Sequence, residues 1–235
     1  MRKGYPPFEQ DRLHVFFHDH WITLLLFLFF GTIVWARNIH YRRFIRLGRS
    51  IINIREFYQA VREEYSISNS LSISLVALFI LGFSLFLYQA NLYFGYYHFV
   101  GLKWVFYLKI VSVVFAVFIY KLLTIRGLSV IFLGKLSAAT DYLYNVYLTN
   151  AISGLILVPF TLFLAFLQIV SQRYLIQVSS VLLILIFLFR ILRYFNIGRD
   201  ESGVSKLYFF TYLCTIEIIP VLIGVKLVLE LSALR

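Results

Sequence analysis

The chain has 235 residues, of which 61% are hydrophobic and 19% aromatic, while only 14% are charged. A soluble domain of this size needs many more charged residues to cover its surface, so the composition excludes an ordinary soluble protein. The net charge of +11, combined with a mean hydropathy of +0.83, indicates contact with anionic lipid headgroups. We predict no nucleic-acid partner, because no basic recognition motif accompanies this charge.

Long apolar blocks predict an all-α, polytopic transmembrane helix bundle that forms a single integral membrane domain. A helix needs roughly 20 apolar residues to cross a hydrocarbon core about 30 Å thick, and backbone in lipid must be helical. The predicted spans, about six in number, are residues 21–36, 71–91, 104–125, 146–170, 174–197 and 207–229. The first block lacks a signal-cleavage pattern, so we expect it to be retained as a span.

The distribution of basic residues predicts the orientation of these spans. The connections 37–70, 121–145 and 190–206 carry fourteen of the 22 lysines and arginines. Because cytoplasmic connections are enriched in Lys and Arg, these three should be cytoplasmic and both termini periplasmic. We therefore expect a multi-pass protein of the bacterial inner membrane. Residues 126–145 also match a short re-entrant segment, a surface helix or the start of a new helix.

The first connection predicts an amphipathic cytoplasmic helix at about 41–65, between spans one and two. Apolar residues recur there at alternating spacings of three and four, with arginines between them. Its expected docking residues are Phe44, Leu47, Ile51, Ile54, Tyr58, Arg42, Arg43, Arg46 and Arg49. Two interpretations remain open: a helix lying among anionic headgroups, or a surface for a membrane-protein partner or a second copy of the chain.

Glu217 is the principal ionisable residue expected inside a span, and intramembrane charges commonly mark functional sites. Pro220 follows three residues later and lacks a backbone N–H, which leaves a carbonyl acceptor near the carboxyl group. Such an acid takes up a proton, holds a cation or pairs with a base that fixes helix packing. Lys109 and Arg190 are the possible ion-pair partners.

A second set of polar residues lies in the fourth predicted span. Asn145, Thr149 and Ser153 are four apart and therefore share one helix face, with Asn150 beside them. We expect this face to contact protein, where it either lines a cavity or forms interhelical hydrogen bonds.

The N-terminal histidines are weak candidates for a metal or haem site. His14 and His18 are four residues apart, with His20 close by, and this spacing on a helix suits a ligand pair. No further ligand set follows, and a membrane-interface segment explains the same residues. Phosphate-binding glycine loops and a serine-nucleophile motif are also absent. We therefore predict no cofactor and favour a protein that is not an enzyme.

The run Tyr212-Leu-Cys214-Thr-Ile-Glu217-Ile-Ile-Pro220 resembles the last-span signature of an uncharacterised family of Bacteroidota inner-membrane proteins, a domain of unknown function. The stretch 142–166, with its asparagines, glycine and proline, is similar to the middle region of that family. The resemblance covers about residues 70–229 and leaves out the histidines and the arginine-rich helix. It implies a polytopic inner-membrane protein with no established activity, and it adds weight to Cys214, Glu217 and Pro220 as a site.

Three functional hypotheses follow. The first is a non-enzymatic scaffold or assembly component of a cell-envelope process, favoured by the stripe at 44–65 and the lack of a catalytic set. The second is a small transporter or lipid-handling protein, with a proton- or cation-linked site at Glu217 and Pro220 and the asparagine face around a midplane cavity. The third is a haem- or metal-binding membrane protein that uses His14 and His18.

Overall fold

The computed structural model of the chain describes residues 20–53, 59, 70–94, 102–128, 136–167 and 169–201. Side chains are described for these residues except 51, 52, 128, 136–142, 169–171 and 194–201. The described helices are α1 (His20–Ile39), α2 (Tyr41–Ile52), α3 (Ser70–Phe94), α4 (Lys103–Leu128), α5 (Leu136–Phe166) and α6 (Ile169–Glu201). The described part of the chain contains no strand, which confirms the predicted all-α class.

Five of these helices are long and apolar enough to cross a membrane. Their apolar stretches are His20–Ile39, Ser70–Phe94, Lys103–Gly127, Leu143–Phe166 and Gln172–Arg193. They correspond to the first five predicted spans, while the sixth, at 207–229, lies outside the described residues. The chain is therefore a membrane protein with several apolar helices.

The clearest difference from the predicted spans is at the start of α5. Residues 136–145 form its first turns, so this part of the ambiguous 126–145 stretch belongs to a helix that continues into the membrane. α5 also continues through Pro159 and ends at Phe166, short of the predicted residue 170. Because Pro159 has no N–H, the Leu155 carbonyl loses its usual donor within the helix.

The α3–α5 pair forms the centre of the bundle. A Cβ placed on Gly154 would lie 2.9 Å from Phe79 Cα and 3.0 Å from Phe79 N, so only glycine permits this approach. Further along both helices, Gln89 Nε2 donates to the Thr161 carbonyl at 3.0 Å. Residue numbers rise together from the first contact to the second, so α3 and α5 run parallel.

α2 is the described part of the predicted amphipathic helix, and two of its apolar residues pack on the bundle. α2 ends at Ile52, where Asn53 adopts an extended backbone, and most of the predicted 54–65 continuation lies outside the described residues. Asparagine favours such ends because its side chain competes for backbone hydrogen bonds. Leu47 is 6% exposed within the main core, and Phe44 packs against that core. These two stripe residues therefore face the bundle itself.

Candidate functional site

The polar face of α5 is buried, as its spacing predicts. Asn145 is fully buried, and Thr149, Asn150 and Ser153 are each at least nine-tenths buried. The Thr149 hydroxyl donates to the Asn145 carbonyl at 2.8 Å, and the Ser153 hydroxyl donates to the Thr149 carbonyl at 2.8 Å. Both hydroxyls thus donate to carbonyls of α5 itself.

Asn145 differs from its neighbours on this face. Its side-chain Oδ1 and Nδ2 are both buried, and neither has a hydrogen-bond partner among the described residues. Leaving a buried polar group unsatisfied costs about 1–3 kcal/mol. Ser153 lies eight residues further along α5 than Asn145, a rise of roughly 12 Å at 1.5 Å per residue. The polar face therefore extends along more than two turns of α5.

A second polar cluster lies where α6 meets α2. The Arg193 guanidinium Nη2 donates to the Ser50 carbonyl at 2.7 Å across 143 residues of sequence. Ser50 is in the last turn of α2, where carbonyls lack helical donors and the helix dipole favours a cation. This contact brings the basic connections 37–70 and 190–206 to the same end of the bundle, which we call the basic end.

Arg190 and Lys109, the two predicted partners of Glu217, have different environments. Arg190 is 5% exposed and lies one turn before Arg193 on α6, whereas Lys109 is on an exposed part of α4. Glu217 lies outside the described residues together with Tyr212, Cys214 and Pro220. The predicted ion pair and the site at Pro220 thus remain predictions.

The other predicted ligands and docking residues are also distributed between described and undescribed parts of the chain. His14, His18, Ile54 and Tyr58 lie outside the described residues, while His20 is exposed in the first turn of α1. Within the described ranges, no three His, Cys, Asp or Glu residues come together. On α2, Arg42, Arg43 and Arg49 are exposed and Arg46 is half-buried.

Sequence reasoning missed two glutamines that join helices at the opposite end of the bundle. Gln89 is 1% exposed and bonds to α5, as described above. Gln172 is 2% exposed, and its Nε2 donates to the Leu164 carbonyl at 3.2 Å and the Leu167 carbonyl at 2.9 Å. The sequence contains the pattern that could have identified them. Each glutamine is an isolated amide in or beside an apolar block, where an amide without a hydrogen bond is costly.

Replacing Gln172 by leucine is expected to lower the free energy of unfolding by about 1–3 kcal/mol, because two carbonyls at the end of α5 lose their donor. Reversible unfolding in mixed micelles measures this change. Gln177→Leu is the matched control, since Gln177 is exposed on the same helix. Equal stabilities for the two variants would contradict a capping role for Gln172.

The fold and the buried polar groups define a polytopic α-helical membrane protein. The family model described as "Domain of unknown function (DUF4271)" matches residues 22–228, and the chain belongs to this family. The match is wider than the expected 70–229: it includes the arginine-rich α2 and excludes His14, His18 and His20. No curated protein and no solved structure matches the chain.

Proposed function

We propose that this protein is a non-enzymatic scaffold or assembly component of a bacterial inner membrane, with the basic end on the cytoplasmic side. The observation that carries the proposal is the attachment of α2 to the bundle. Leu47 lies in the core, and Arg193 holds the last turn of α2 through the Ser50 carbonyl. α2 is thereby held in a fixed orientation.

This attachment determines which side of α2 is available to a partner. An amphipathic helix that binds only to the membrane interface buries its apolar face in lipid. In α2, by contrast, Phe44 and Leu47 pack on the bundle. The exposed residues of α2 include Arg42, Arg43 and Arg49, together with Tyr41 and Ile45. Three arginines on a fixed helix are complementary to an acidic segment of a membrane-protein partner, because guanidinium groups bind carboxylates in bidentate geometry.

Reversing the charge of this surface tests the scaffold proposal. A photo-cross-linker at position 45, which is exposed on α2, should capture a specific partner in cells. Arg42→Glu combined with Arg49→Glu should reduce that product at least tenfold, and reciprocal charge reversal in the captured partner should restore it. Arg126→Glu is the control, because Arg126 is exposed in the last turn of α4. Cross-linking that is unchanged by the paired reversal would contradict the proposal.

Transport or lipid handling is a second candidate function, favoured by one observation. The Asn145 amide is fully buried without a hydrogen-bond partner among the described residues. Proteins tolerate this cost where a polar group serves a ligand or a path. In this interpretation the α5 face from Asn145 to Ser153 borders that path, with Glu217 as its proton- or cation-linked acid.

Asn145→Leu is expected to raise the free energy of unfolding by about 1–3 kcal/mol, because it replaces an unsatisfied amide by an apolar group of the same branched shape. Thermal unfolding in detergent measures the change. Thr149→Val is the control and should change stability less, because that hydroxyl is already bonded within α5. Stabilisation accompanied by loss of the protein's cellular function would favour transport over the scaffold. A large loss of stability would mean that Asn145 bonds to another part of the molecule.

A further inference from the structure

The last turns of α5 follow a gap in the hydrogen bonds of that helix. Pro159 lies inside α5 and has no N–H, so the Leu155 carbonyl lacks its usual donor. A bend at this position therefore does not have to break that bond, which is why prolines are common places for helices to bend. Beyond the proline, α5 consists only of residues 160–166, which we call the terminal segment.

The two sides of Pro159 are attached to α3 in different ways. Before the proline, a Cβ on Gly154 would lie 2.9 Å from Phe79 Cα, so backbone packs directly on backbone. Beyond the proline, Gln89 Nε2 donates to the Thr161 carbonyl at 3.0 Å, and a small apolar cluster adds side-chain contacts. Close backbone packing cannot be released without moving the whole helix, whereas one side-chain hydrogen bond can. The terminal segment is thus the more easily released part of α5.

The start of α6 is attached to the terminal segment. Gln172 Nε2 donates to the Leu164 carbonyl at 3.2 Å and to the Leu167 carbonyl at 2.9 Å. Carbonyls at a helix end lack donors of their own, so these two bonds cap α5. A movement of the terminal segment should therefore carry the first turns of α6 with it.

Both glutamine amides are only half satisfied in this arrangement. The Oε1 atoms of Gln89 and Gln172 are buried, and neither has a hydrogen-bond partner among the described residues. A buried acceptor without a donor is costly, and this cost offsets part of what the Nε2 bonds contribute. The terminal segment ends the apolar stretch of α5 at Phe166, so an opening at this end would let water reach both oxygens.

We propose that the terminal segment and the first turns of α6 open as one hinged unit about Pro159, with Gln89 as the latch that holds it closed. Hinged units of this kind move about a few residues and open locally at a lower free energy than the whole fold. The unit lies at the end of the bundle opposite the basic end. The hinge goes beyond both candidate functions, and it would provide transport with a gate at that end.

Residue-resolved hydrogen–deuterium exchange of the purified full chain in lipid nanodiscs tests the hinge. A hinged opening exposes the amides of 160–166 together, so they should share one protection factor, at least tenfold below that of 143–153. Residues 172–176 of α6 should share that value. Fraying from the helix end would instead give protection that declines gradually towards Phe166.

Two variants separate the latch from the hinge. Gln89→Asn shortens the side chain by one methylene group, so its amide no longer reaches the Thr161 carbonyl. This variant should lower the shared protection factor at least tenfold further and leave 143–153 unchanged. Gln177→Asn is the matched control, because Gln177 is exposed on α6. Pro159→Ala returns a donor to the Leu155 carbonyl and should abolish the step in protection at residue 159.

Three results would overturn the proposal. A gradual decline of protection along 160–166 in the wild type would mean fraying without a hinge. An equal loss of protection at 143–153 in Gln89→Asn would give Gln89 a general structural role in place of a latch. A step at residue 159 that survives Pro159→Ala would mean that the proline is not the hinge. Should Gln89→Asn fail to fold, the comparison of wild type with Pro159→Ala still decides, because it leaves the latch intact.

Discussion

Replacing Gly154 by valine is expected to force α3 and α5 apart and to lower the free energy of unfolding by about 1–3 kcal/mol or more. Even the Cβ of alanine would lie 2.9 Å from Phe79 Cα, and backbone cannot rotate away as a side chain can. The β-methyl groups of valine extend the clash further. Unfolding by sodium dodecyl sulfate in mixed micelles measures the loss, with Gly154→Ala as an intermediate step.

Gly82 provides the matched control for this prediction. It is also a buried helical glycine, but an added Cβ meets nothing within 4 Å. Gly82→Ala should therefore be neutral or stabilise the protein by about 0.5–1 kcal/mol, because alanine loses less backbone entropy than glycine in a helix. If alanine at the two positions had the same effect, the close approach of α3 and α5 would be wrong.

Replacing Tyr88 by alanine is expected to lower the free energy of unfolding by about 3–5 kcal/mol, the range for large aromatic residues in a core. Tyr88 is 1% exposed and contacts the Trp21 ring at 5.4 Å between centroids. It also contacts Phe106 at 6.0 Å and Tyr107 at 6.3 Å. One side chain thus connects α1, α3 and α4, and its removal leaves a cavity among three helices.

Two further variants sharpen the Tyr88 prediction. Tyr88→Phe retains the ring and should keep most of the stability that alanine loses. Tyr120→Ala makes the same truncation at a half-exposed site on α4, and surface substitutions of this kind usually stay within about 0.5 kcal/mol. A Tyr88→Ala protein as stable as Tyr120→Ala would contradict the central position of the aromatic cluster.

The arginines show how far the candidate sites could be predicted from the sequence. Counting basic residues grouped the 37–70 and 190–206 connections on one side, and the Arg193–Ser50 hydrogen bond places them together. The count did not reveal that Arg190 and Arg193 are buried. Burial depends on a helix that is distant in sequence, whereas a charge count treats each connection separately.

The polar face of α5 illustrates the same limit. The four-residue spacing of Asn145, Thr149 and Ser153 correctly predicts one buried face, because helical geometry is local. Whether each group forms a bond across helices depends on what lies opposite. The hydroxyls bond within α5, while the amide of Asn145 does not bond to any described residue.

By itself, the sequence determined the membrane class, the all-helical fold and the approximate limits of five spans. These properties follow from block length and composition, since backbone in lipid must satisfy its own hydrogen bonds. Only the tertiary structure decided which faces meet. In α1, Phe29 is fully buried while Phe27 is 74% exposed, although both are apolar. Lipid and protein interior are equally apolar, so close approach at Gly154 and a few polar contacts select the helix partners, and hydropathy cannot reveal them.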